Sequence, residues 1–239
     1  MPLFSSAAIL APFRVRSFRF QFPADLATSW GIEMENLVLG WYVLVATGSV
    51  LALTLYWALQ YLGTLLAPLF GMLGDRFGQR RILCLMRAHY ALLSGVAAAL
   101  AVSGTLQPLY VFVIAGLSGL VRPCDQGMRN AMVAATMPAD TLMAMMGVSR
   151  TTSDSARIVG ALTGAGLFAA FGLGPVYLAI AGFYLVGFML TLGISPARPR
   201  PLPDGAAPPS WWRDLREGLS YVWTRHALWL RCGSLSLSI

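Results

Sequence analysis

The chain has 239 residues, 57% of them apolar and only 11% charged, with a mean hydropathy of +0.66. That balance excludes a water-soluble domain, because so few polar side chains cannot cover so much apolar surface. The formal charge of +7 comes from 17 arginines and no lysine, spread between apolar runs instead of clustered, which argues against a nucleic-acid partner and for arginines that set membrane topology.

Residues 1–22 contain Arg14, Arg16 and Arg19 and no acid. A short apolar piece precedes the arginines, the reverse of a secretory signal, so this segment reads as a cytoplasmic lead-in, with a cleaved targeting peptide as the alternative. A spanning helix needs about 20 mostly apolar residues to cross about 30 Å of hydrocarbon. Six segments meet that length, at roughly 23–46, 50–72, 82–103, 108–133, 150–172 and 175–194, and all must be helical because no backbone group can stay unpaired in lipid. The expected fold is therefore an all-α, multi-pass membrane bundle of six helices over 23–194, with the lipid bilayer as its first partner.

The connections near 47–49, 104–107 and 172–175 carry no charge, whereas the lead, the 74–81 turn, the 122–140 stretch and the region after 195 hold most of the arginines. Retention of arginine on the cytoplasmic side then puts both ends of the bundle in the cytoplasm.

Span one carries acids in the stretch GIEMENLVLGW, residues 31–41. At about 100° per residue, Asp25, Ser29, Glu33 and Asn36 fall on one polar stripe about 80° wide, while Glu35 lies about 160° from Glu33 on another face. The stripe reads as the lining of a central aqueous path, with Glu33 as a proton or cation site near mid-membrane and Glu35 as a buried structural partner for another helix. A Glu33 held by a hydrogen bond inside the bundle, with no part in coupling, is the alternative.

Between spans two and three runs GMLGDRFGQRR, residues 71–81. Its glycines permit a tight turn and close helix approach, and Asp75 can accept charge-assisted bonds from an arginine or a helix N-terminus, so that the turn latches one conformation. A plain cytoplasmic turn with topogenic arginines is the simpler reading. With Gly71, Leu73, Asp75, Arg76, Gly78, Arg80 and Arg81 at their positions, the string resembles the cytoplasmic signature of the major facilitator superfamily, which also joins helices two and three. Further places resemble that superfamily's enterobactin-exporter-like branch, the transmembrane secretion effectors: Phe18 and Arg19; Thr47, Gly48 and Ser49 with Leu51, Ala52 and Leu53; Pro123 and Gln126; and Ala156, Arg157, Ile158 and Gly160. The resemblance runs from about residue 18 to the end of the chain.

Span five departs from the family's signature, a Gly-Pro pair followed by further glycines, and has Gly160, Ala161, Gly164 and Gly166 instead. These glycines suit close packing on a neighbouring helix. In the same span Asp154 and Arg157, three apart, are expected to pair along one face as a structural intramembrane charge. Arg87, near the cytoplasmic end of span three, is expected to snorkel or to meet Asp75.

Residues 195–210 contain six prolines and read as an extended cytoplasmic linker. Over 211–239, Trp212, Leu215, Leu219, Val222 and Trp223 share a helical face opposite Arg213, Arg216 and Glu217, a pattern for the membrane interface leading into an incomplete seventh helix. The expectation is the N-terminal half of a larger carrier, whose C-terminal six-helix half is missing or supplied by a second copy.

Cys84, Cys124 and Cys232 have no metal spacing, His89 and His226 are isolated, and no nucleophile with a matched base appears, so neither a metal, a cofactor nor an enzymatic reaction is expected. The resemblance implies a secondary active transporter of the bacterial inner membrane, exporting a small organic molecule such as a siderophore or drug in exchange for protons by alternating access. A non-transporting membrane protein, such as a sensor, a scaffold or a degenerate half-carrier, is the other reading.

Overall fold

A computed structural model describes residues 16–136, 139–194 and 220. The linker and the expected interfacial helix over 211–239 lie outside the described residues, apart from Ser220, and so do positions 1–15 of the lead.

The described chain is helical throughout: α1 Arg16–Thr47, α2 Val50–Leu59, a 3-10 turn Leu62–Leu66, α3 Ala67–Phe77, α4 Gln79–Val102, α5 Pro108–Thr136, α6 Ala139–Phe171 and α7 Leu173–Leu192. The expected span two is thus α2, the 3-10 turn and α3 in succession, and the other five spans each correspond to one helix. Two helices start well before their apolar runs, α1 at Arg16 and α6 at Ala139, because a polar sequence continues a helix as readily as an apolar one when its ends reach beyond the hydrocarbon. Pro23 falls inside α1 and removes one backbone hydrogen bond from its second turn.

Among the described residues, three stretches are long and apolar enough to cross a membrane by composition alone, Val50–Phe77, Gln79–Val102 and Leu173–Leu192. The remaining long helices, α1, α5 and α6, carry the charges described below. The surface is apolar at many large side chains, with Leu65 85% and Leu51 80% exposed. A surface of that kind is unfavourable in water and favourable against acyl chains.

α1 is the organising helix, packed most extensively on α6 and α7, while α4 packs on α7 and α5. Small residues set these distances. A side chain at Gly160 would collide with Trp30 of α1 at 2.6 Å, and one at Gly164 would touch the Met34 backbone at 3.0 Å, so α6 lies directly on α1. Gly166 faces open space and contributes nothing to that contact. Gly187 of α7 meets Thr28 of α1 in the same way.

The closest approach joins the break in span two to α5. A Cβ at Gly63 would run into the Leu120 carbonyl oxygen, and one at Gly119 into that of Leu59. Since both obstacles are backbone, neither can step aside. Gly119→Ala is therefore expected to destabilise the bundle by at least the ~1–3 kcal/mol typical of overpacking. A thermal unfolding midpoint in detergent equal to that of the parent would contradict this.

Candidate functional site

Six polar residues of α1, Gln21, Asp25, Ser29, Glu33, Glu35 and Asn36, sit in three clusters, each closed by at least one arginine from another helix. The first lies toward the start of α1. Arg87 of α4, 1% exposed, donates to the Asp25 carboxylate and to Thr191 Oγ1 of α7. Arg129 of α5 approaches the same carboxylate at 3.7 Å, donates to Ser29 Oγ at 2.8 Å and pairs with Asp125, one turn away on its own helix, at 2.5 Å. Gln21 Nε2 adds a bond to the Arg129 carbonyl at 3.3 Å. Two arginines and two carboxylates thus neutralise one another between α1, α4, α5 and α7, which is how charges persist inside a membrane bundle.

Midway along α1 lies the second cluster. Glu35, 2% exposed, accepts from Arg122 Nη2 and from the Tyr184 hydroxyl, both at 2.7 Å. The other arm of Arg122 donates to Asn36 Oδ1. Asn36 therefore shares an arginine with Glu35, whereas Glu33 pairs with Arg157 of α6, so partners do not follow the single stripe expected from helical phase. A guanidinium fork spans the gap between adjacent residues that a helical wheel assigns to different faces.

At the third cluster, Glu33 meets Arg157 Nε of α6 at 3.3 Å, with the glutamate side chain 21% and the arginine 67% exposed. The pair sits where α6 touches α1, since the Cβ of Glu33 is also a neighbour of Gly160. Asp154 pairs at 3.4 Å with Arg150, four residues earlier, in place of the expected partner Arg157. Arg157 points instead toward α1, because the glycine face of α6 that includes Gly160 turns that way. The Arg150–Asp154 pair is 72% and 51% exposed. Arg150→Ala is therefore expected to change stability by less than about 1 kcal/mol, as for exposed pairs generally; a large drop in unfolding midpoint would show the pair to be buried in the working protein.

Two further expectations need correction. Arg87 neither snorkels nor meets Asp75, because Asp25 of α1 and Thr191 of α7 take up its guanidinium inside the bundle. Arg122 and Arg129, counted among the topogenic arginines of the 122–140 stretch, lie inside α5 and face α1, where Glu35 and Asp25 draw them inward. Neither these two arginines nor Asp125 was expected as a site residue. A signal was present: Arg122, Asp125 and Arg129 are spaced three and four apart, which lines them up on one face of a helix.

The turn motif takes the shape its glycine requires. Gly78, at φ +91°, separates α3 from α4, and Gly74 is pressed against the Met128 side chain of α5. Gly71 is open to its surroundings. Arg80 donates to the Leu192 carbonyl at the end of α7 at 2.6 Å, tying the turn to the last span, and Arg76 lies over the Phe77 ring. Asp75 and Arg81 are exposed, and Asp75 forms no ion pair among the described residues.

No curated protein matches the chain. The sequence model of the Major Facilitator Superfamily matches residues 4–239. That family consists of membrane transporters and not enzymes, and it accommodates a six-helix bundle with apolar flanks and internally paired charges. The chain is an integral membrane protein and belongs to the major facilitator superfamily.

Proposed function

We propose that this bundle works in proton-coupled export of a small organic molecule, such as a drug or siderophore, by alternating access, with Glu33 as the coupling carboxylate. The observation that carries this reading is the inequality of the two glutamates of α1. Glu35 is buried and held by Arg122 and Tyr184, whereas Glu33 is partly exposed and has a single, longer bond to an exposed arginine. Among the described residues, a proton or a cationic substrate arriving at Glu33 has only Arg157 to displace.

The consequence for motion follows from position. Neutralising Glu33 frees Arg157 at the point where Gly160 seats α6 on α1, so occupancy of one carboxylate is felt at a helix–helix contact. Asp25 and Ser29, joined through Arg129, and Asn36, joined to Arg122, then serve to hold α1 in place alongside that contact. The bundle rocks against a second six-helix bundle about a midplane site, as the superfamily's repeats do. The export direction rests on the resemblance to the enterobactin-exporter-like branch, and the cytoplasmic placement of the arginine-bearing ends on their distribution along the chain.

The test is purified protein in proteoliposomes carrying a pH-sensitive dye, challenged with cationic drugs and with catechol-type siderophores. Substrate-dependent proton flux that disappears in Glu33→Gln supports the reading. Transport of substrate with no proton movement would overturn it.

A further inference from the structure

Around the Arg122–Glu35 ion pair, buried side chains from four helices bring together more hydrogen-bonding capacity than they use. Tyr56 and Gln60 come from α2, Arg122 from α5, Tyr177 and Tyr184 from α7, and Glu35 from α1. Tyr56 and Tyr177 are each within electrostatic reach of both Glu35 and Arg122. The Glu35 carboxylate is met by Tyr184 and one arm of Arg122, and the other arm goes to Asn36.

Left over are the Tyr56 and Tyr177 hydroxyls, Arg122 Nε and Gln60 Oε1, none of which has a bonding partner among the described residues. Tyr56 and Tyr177 are 0% exposed and Gln60 3%. Tyr56 and Gln60 lie near each other, one helical turn apart, without closing a hydrogen bond. Directly after this turn the bonding of span two changes from four residues back to three, with Gln60 N bonded to the Trp57 carbonyl at 3.2 Å and Tyr61 N to that of Ala58 at 3.1 Å. The helix break thus begins at the unpaired groups.

Buried polar groups left without partners are costly, and a native bundle seldom tolerates several in one place. The groups here are hydroxyls that donate and accept, one acceptor and one donor, which is the complement a small molecule with two donors and two acceptors satisfies. The substrate-sized grooves, beside Pro23 and Trp30 and beside Leu85 and His89, open on other faces and are almost wholly apolar.

We propose that this cluster is a binding site for ordered water, which bridges Tyr56, Tyr177 and Gln60 to Arg122 and hydrates the buried Arg122–Glu35 pair. A hydrated pair separates at less cost than a dry one, because each charge keeps a partner while the other moves away. The site therefore gives the α1–α5 contact a means of rearranging without exposing a bare charge to lipid. This inference does not depend on which carboxylate couples or on what is transported.

X-ray radiolytic footprinting of the purified full chain in nanodiscs, read by mass spectrometry, tests it, since hydroxyl radicals generated at a bound water label the side chains beside it even when bulk solvent cannot reach them. Tyr56 and Tyr177 are expected to be labelled, while Met34, also 0% exposed and intrinsically more reactive, stays at background. Tyr177→Phe is expected to reduce labelling of Tyr56 several-fold and to lower the thermal midpoint by a few degrees, the loss of a used hydrogen bond. Tyrosine labelling no higher than that of Met34 overturns the proposal, and so does a Phe variant as stable as the parent with Tyr56 labelling unchanged. Should Tyr177→Phe fail to fold, the footprint of the parent protein decides alone.

Discussion

Glu33→Gln is expected to reduce substrate-dependent proton flux in proteoliposomes to below about a tenth of the parent's initial rate, with folded yield unchanged. Glutamine keeps the size of the side chain and can still accept from Arg157, so the α1–α6 contact is retained while the exchangeable charge is lost. Glu35→Gln should behave in the opposite way. It leaves Arg122 without its counter-ion between α1 and α5, and removing one partner of a buried pair costs on the order of 3–5 kcal/mol. The expected result is poor folded yield, with near-parental transport per folded molecule. Equal loss of transport in both variants at normal expression would count against assigning coupling to Glu33.

Arg129→Ala is expected to have the largest effect on folding. Arg129 is 3% exposed, forms an ion pair with Asp125 and bonds to Ser29 and the backbone of Asp25, besides approaching the Asp25 carboxylate. Truncation leaves Asp125 with no counter-ion among its described neighbours and Asp25 with Arg87 alone, at a cost of about 3–5 kcal/mol. Loss of the monodisperse peak in size-exclusion chromatography and a much lower thermal midpoint are the readouts. Asp125→Ala in the same background should recover part of the loss, because the stranded charge is then gone; additive effects of the two changes would mean that the residues do not interact. Arg129→Lys should fall between, keeping the charge but losing the fork that reaches three partners.

Membership of the superfamily makes the chain a membrane transporter, and the clusters show how its bundle accommodates charge. Each cluster ties α1 to a different set of neighbours: α4, α5 and α7 at Asp25, α5 and α7 at Glu35, α6 at Glu33. α1 is thus the helix whose position all the internal charges report. Of the three connections, the one to α6 is the most exposed and the shortest in partners, which is why it carries the proposed coupling.

Much of this was legible in the amino-acid order. Hydropathy set the six helices, because the requirement to satisfy every backbone group in lipid leaves no other structure for an apolar run of that length. The turn at Gly78 was legible because a spanning helix must end there and glycine alone accepts that backbone angle comfortably. The acids of α1 were legible as exceptions to an apolar background. Their partners were not. Asp25 and Arg87 are 62 residues apart, Glu35 and Arg122 are 87, and Glu33 and Arg157 are 124. Local periodicity holds no information at such separations, so Arg122 and Arg129 read as topogenic arginines and Arg157 as a partner for Asp154. Only the tertiary packing decided these pairings, through the glycines that bring α6 onto α1 and α5 onto the break in span two, and through the length of the arginine side chain, which lets one guanidinium serve two positions of a neighbouring helix.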